Sequence, residues 1–117
     1  MRPVDHVEIP IKVTAWVDEG IVPLVLALNQ LPNVETIDSC QGRDDKPAHV
    51  YFRYRGDART ATRFIADLAA LLSPHERAAD YTLVARWRPG TDEPVFQLAC
   101  PAAHSTALAR ILSEASV

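Results

Sequence analysis

The sequence predicts an α+β fold, a two-layer sandwich with helices on one face of a sheet, on three observations. Apolar residues recur at period two over Val7–Val17, Val34–Cys40, His49–Arg55, Tyr81–Arg88 and Pro94–Cys100, the signature of strands with one buried face. Between or after them, Gly20–Leu31, Asp57–Leu72 and Pro101–Glu114 carry apolar residues at helical spacing. Proline, glycine and aspartate fall at the joins between these stretches. The order β-α-β-β-α-β-β-α follows. Its first six elements match the split β-α-β core of a ferredoxin-like sandwich, extended by a β-hairpin strand and a C-terminal helix.

In the first stretch, Val7, Ile9, Ile11, Val13, Ala15 and Val17 alternate with Glu8, Pro10, Lys12, Thr14 and Trp16. Pro10 cannot donate to a ladder, so this strand is expected at an edge or broken early. Asp18 can cap the next element, Glu19 suits a positive helix end, and Pro23 fits only a first turn. The helix that follows is apolar nearly all round, so one sheet face cannot cover it, and another helix or a second subunit is expected against it. Leu31-Pro32-Asn33 ends it. The strand Val34–Cys40 runs into Gln41-Gly42 and a polar loop, Arg43 to Pro47. In the second helix, Asp57 is an N-cap candidate, Ala61, Phe64, Ile65, Leu68, Leu71 and Leu72 form the buried stripe, and Ser73-Pro74 stops it. Arg88-Pro89-Gly90-Thr91-Asp92 reads as a hairpin connection. Pro101 opens the last helix, with Leu108, Ile111 and Leu112 on one side.

The 117 residues make one domain, large enough for a continuous core. No run reaches the roughly 18 apolar residues of a membrane span, and Met1 to His6 contains no apolar segment of a signal peptide, so a cytoplasmic protein is expected. Cys40 and Cys100 are too few and too far apart for a disulfide scaffold or a C-x-x-C site, and both are expected reduced. The four histidines and two cysteines show no ligand spacing, so no metal is expected. Twelve basic and fifteen acidic residues give a net charge of −3, which excludes a global field for nucleic acid or acidic lipid; any anion site must be local. Neither of the two common glycine-rich phosphate loops occurs.

Alternation also assigns the sheet's two faces. With Val50, Phe52, Tyr54, Leu83, Ala85 and Trp87 turned to the helices, the other face gathers Lys12, Trp16, Tyr51, Arg53, Arg55, Arg86 and Arg88. That set has two readings: a solvated antiparallel face, or a platform on which Trp16 and Tyr51 stack on bases while the arginines hold phosphates. A homodimer contact through the first helix or this open face is a further reading.

The second candidate site is Asp38-Ser39-Cys40-Gln41-Gly42-Arg43 with His49. Small polar groups, a thiol, a flexible glycine and a cation meet at a strand end, where turn amides, the Ser39 hydroxyl and Arg43 could hold a carboxylate or phosphate. The same residues equally describe an ordinary turn, with Gly42 at positive φ and Cys40 as a small hydrophobe. Cys40 as a nucleophile would need His6, His49 or His104 as base, and no spacing forces that contact.

Residues Val17-Asp18-Glu19-Gly20-Ile21-Val22-Pro23-Leu24 through Asn29, and Thr36 to Arg43, resemble the wybutosine-synthesis methyltransferase family. Ser39, Cys40, Gly42 and Arg43 match the family's S-C-x-G-R motif, and Asp38 and Gln41 stand where it has serines. The resemblance covers residues 17 to 72; the family's later Gly-Phe-Arg-x-Ser-Gly stretch has no counterpart here. It implies a ligand-binding turn over Asp38, Ser39, Cys40, Gly42, Arg43 and His49. It also implies S-adenosylmethionine as a candidate cofactor and RNA, a tRNA nucleoside in that family, as a candidate partner.

Overall fold

A computed structural model describes residues 8–11, 15–87, 89–90 and 93–115. The strands are β1 (Glu8–Ile11), β2 (Ala15–Asp18), β3 (Val34–Cys40), β4 (Ala48–Tyr54), β5 (Thr82–Trp87) and β6 (Pro94–Cys100). The helices are α1 (Val22–Gln30), α2 (Ala58–Leu72) and α3 (Ser105–Ala115), with single 3-10 turns ahead of α1, β5 and α3. The class is α+β: an antiparallel four-stranded sheet, ordered β3-β4-β6-β5, carries the helices on one face.

The departure from the expected architecture is the N-terminal segment. A split β-α-β core requires the first strand inside the main sheet. Instead the segment folds on itself as a hairpin, with Ile11 opposite Ala15 and Pro10 opposite Trp16, and forms a separate two-stranded sheet. A proline without an N–H fits this short, two-stranded setting and not a central strand.

The core lies between the sheet's inner face and the helices. Val50, Phe52, Phe96, Leu98 and Cys100 project from β4 and β6 and are buried with Leu24 and Leu28 of α1, Ala61, Leu68 and Leu72 of α2, and Leu108 and Leu112 of α3. Phe52 packs on Phe96 and Phe64, and Tyr54 stacks on Phe64 at 4.5 Å. The second layer expected against α1 is α3, whose Ser105 hydroxyl donates to the Gly20 carbonyl at 3.4 Å. Leu26 alone among the large apolar residues of α1 stays exposed. Asp57 caps α2, accepting from the Thr60 amide at 2.8 Å.

Candidate functional site

The ladder aligns the outward residues of four strands into rows. Thr82, Ala99, His49 and Cys40 form one row, Val84, Gln97, Tyr51 and Asp38 the next; beyond it come Arg86 with Val95 and Arg53 with Glu35. None of these side chains is buried. Near one end of this face, Ile37, Asp38, Tyr51, Arg86, Trp87, Pro89 and Val95 line a groove of about 420 Å³. Trp87 is 64% exposed, the most exposed large apolar side chain described. The edge of the His49 ring meets Tyr51, 5.2 Å between centroids. No ion-pair partner of Arg86 is found among the described residues.

Sequence alternation places Trp87 toward the helices, and the register agrees, setting it opposite Pro94 on the parity of Leu83 and Ala85; from this strand end it also borders the groove. Trp87 is the last residue of an edge strand, opposite Pro94. The strand end is open there: Trp87 is exposed, and Ala85, two residues earlier on the same side, is exposed as well. Ile37, Pro89 and Val95 carried no polar signal and were missed; the lone apolar residue between Thr36 and Asp38 was the clue available.

The arginines of the face do not act together. Glu35 sits between two of them: Arg55 donates from Nη2 to Oε2, and Arg53 Nε lies 3.7 Å from Oε1. The Arg55 hydrogen bond, with the charges of Arg55 and Arg53, holds the Glu35 carboxyl below its ordinary range against a smaller opposing effect of desolvation. Arg55 already lies beyond the end of β4, and Arg53 Nε, though buried, has no hydrogen-bond acceptor. Lys12 and Arg88 lie outside the described residues. Trp16 is described in its backbone alone, in β2, which is not part of the four-stranded sheet.

At the corner after β3, the strand's two faces divide the motif. Ser39 stands opposite Val50 on the helix side, whereas Asp38 and Cys40 stand opposite Tyr51 and His49 on the open side. The turn's amides are engaged within the protein: Ser39 N–H donates to Asp38 Oδ1 at 2.9 Å, Gln41 N–H to Asp18 Oδ2 at 3.3 Å, and Arg43 N–H to the Lys46 carbonyl at 2.9 Å. Gly42 sits at φ 70°. The exposed Arg43 side chain pairs with Asp45 at 3.8 Å, at the tip of the turn that returns the chain to β4. The corner thus brings Asp38 to the groove and leaves Arg43 at the hairpin tip.

Burial pushes the Cys100 thiol up to about 11, so at neutral pH it is not a nucleophile. Among the described residues no group of three or more His, Cys, Asp or Glu side chains gathers to hold a metal ion. No described helix is long and apolar enough to cross a membrane.

No family model matches the chain, and no curated protein or solved structure gives a significant match.

Proposed function

We propose that the open face of the sheet binds a nucleotide-class anion, RNA or a nucleotide-like cofactor, in the groove beneath Trp87. The observation that carries this reading is the convergence of Tyr51, Trp87, Arg86 and Asp38 on one groove. Two aromatic rings offer surfaces for a planar base. Arg86 supplies a fork of donors for phosphate, and the Asp38 carboxylate accepts from a base amino group or a ribose hydroxyl. Methyl transfer from S-adenosylmethionine is the enzymatic form of this proposal, and its support is the likeness of the Ser39–Arg43 motif.

The test is titration of the protein with a fluorescently labelled single-stranded RNA by anisotropy, and with AMP and S-adenosylmethionine by calorimetry. Binding is expected, with Trp87→Ala and Arg86→Ala each weakening it about tenfold, since stacking on one aromatic contributes on the order of 1–3 kcal/mol. RNA binding without binding of the free ligands makes the face an RNA platform; heat with S-adenosylmethionine makes it a cofactor site. A loss in Arg43→Ala as large as in Arg86→Ala would move the site to the corner. No binding of any of the three at about 1 mM refutes the proposal, because that limit leaves less than about 4 kcal/mol of interaction.

A further inference from the structure

The two edges of the sheet are treated differently. β3 is guarded along its length. Its Thr36 amide donates to Asn29 Oδ1 of α1 at 3.1 Å, and Asn29 Nδ2 donates to Thr36 Oγ1 at 2.9 Å. Its ladder is interrupted at Ile37, its Ser39 amide is taken by Asp38, and the amide just beyond it, of Gln41, by Asp18. These are the devices by which edge strands avoid pairing with other chains. β5, the opposite edge, has none of them among the described residues. Its six residues, Thr-Leu-Val-Ala-Arg-Trp, include no proline and one charged group, Arg86, its pairing with β6 is unbroken, and no side chain is seen capping its outer amides.

We propose that β5 is the docking edge for a second copy of this chain, which adds its own β5 antiparallel across a two-fold axis to make one continuous eight-stranded sheet. The charge pattern selects a self-partner and its register. In an antiparallel pair, residues directly opposite share a face, so a two-fold pairing must be centred on a residue. Centring on Leu83 sets that half-buried residue beside the partner's Leu83 and continues the apolar layer under the helices. Val84 then faces the partner's Thr82, and Tyr81, whose backbone is extended with φ −98° and ψ 144°, faces the partner's Ala85.

Just past each end of the shared ladder, at the last residue of the 3-10 turn before β5, the partner's Asp80 comes level with Arg86, and by symmetry the reverse, so each end carries one opposite-charge pair. Asp80 is exposed, and among the described residues its ion-pair contact to exchange is Arg77 at 3.8 Å. Arg86 has five donors, so this pair and a phosphate in the groove can both be served. A contact of some five residues per chain lies below the standard interface size, so the dimer dissociates in the micromolar range, at roughly 10–100 μM.

Sedimentation velocity without nucleotide, over a protein range of about 5–500 μM, tests this. The unaltered chain is expected to pass from monomer to dimer across that range. Asp80→Arg and Arg86→Asp, both at exposed positions, are each expected to raise the dissociation constant about tenfold with unchanged circular dichroism, and the combined exchange to restore it. A protein that stays monomeric overturns the proposal. So does a dimer indifferent to the single reversals, or one that the combined exchange fails to restore. Dimerisation lost in Tyr51→Glu but retained in both reversals would place the contact on the open face and likewise overturn it.

Discussion

Gly42→Ala separates two costs that glycine substitutions usually mix. At φ 70° the backbone is left-handed, which charges an alanine on the order of 1 kcal/mol. At Gly42 there is also no room: an added Cβ would lie 2.6 Å from the Ala48 nitrogen and the Lys46 carbonyl oxygen and 2.7 Å from the Pro47 carbonyl carbon. These are backbone atoms that no rotamer change can withdraw, and Ala48 is fully buried at the start of β4. Relieving the overlap means displacing the hairpin closed by Arg43 and Lys46, comparable to core overpacking at roughly 1–3 kcal/mol. The total is about 2–4 kcal/mol. Gly90 provides the control, with φ 79° and nothing within 4 Å of an added Cβ, so Gly90→Ala carries the backbone cost alone, about 1 kcal/mol. In urea unfolding with a slope of roughly 2 kcal/mol per molar, the midpoints are expected to fall by about 1–2 M and about 0.5 M. Equal losses in the two variants would refute the steric argument and with it the close-packed corner.

Glu35→Gln is expected to release Arg53 and Arg55 from their shared carboxylate and to tighten RNA binding most at low salt; anisotropy titrations at two salt concentrations check this, and weaker binding would contradict it. Ellman's reagent at pH 8 is expected to label half-buried Cys40 rapidly and Cys100 only as the protein opens, since a pKa near 11 in place of 9.0 reduces the thiolate population about a hundredfold. Because that folded pKa lies above the unfolded one, the associated stability is complete below pH 9.0 and is lost as pH rises toward 11, which a urea series at alkaline pH reads out. Asp57 is the opposite case. The Thr60 amide lowers its carboxyl, so the destabilisation by Asp57→Asn is expected to be present above the ordinary carboxyl range and to fade as pH falls through the lowered value.

What the sequence revealed was whatever depends on local period. The strands Val34–Cys40 and Pro94–Cys100 and the capped helix after Asp57 stand where alternation and capping residues put them. The first strand was misread because its alternation continues through Lys12, Val13 and Thr14 with no glycine, asparagine or aspartate to mark the reversal. Strand order is a non-local property, and no pattern within one strand reports its neighbour. The groove was half visible: Asp38, Tyr51 and Arg86 were singled out separately, as part of a turn and part of a face. Only the ladder register joins them, and that Trp87 borders the groove from the end of an edge strand is something no pattern within β5 reports.

The joint between the two candidate sites is one extra residue in β3. Val34 and Thr36 pair with Tyr54 and Phe52 and face the helices; strict alternation would therefore send Asp38 and Cys40 inward and Ser39 outward. The register shift at Ile37 reverses this, so Asp38 meets Tyr51 and Cys40 meets His49 on the open face. Ile37, on the same side as Glu35 by alternation, is itself a wall of the groove. A bulge loosens pairing on an edge strand, where Asn29 bonds both groups of Thr36 just before it. The bulge therefore performs two tasks at once: it spoils β3 as a docking edge and sets the Asp38 carboxylate opposite Tyr51 on the open face. Deleting Ile37 would remove the extra residue and leave Thr36 opposite Phe52 and Asp38 opposite Tyr51, so the carboxylate stays on the open face, the β4-β6-β5 ladder is untouched and only the Ile37 wall of the groove is lost. Nucleotide binding weakened by the lost wall yet retained, in a deletion variant that keeps its β-sheet circular dichroism, is the outcome this geometry requires, and abolished binding would show that the site depends on the bulge itself and not on the face that carries Asp38.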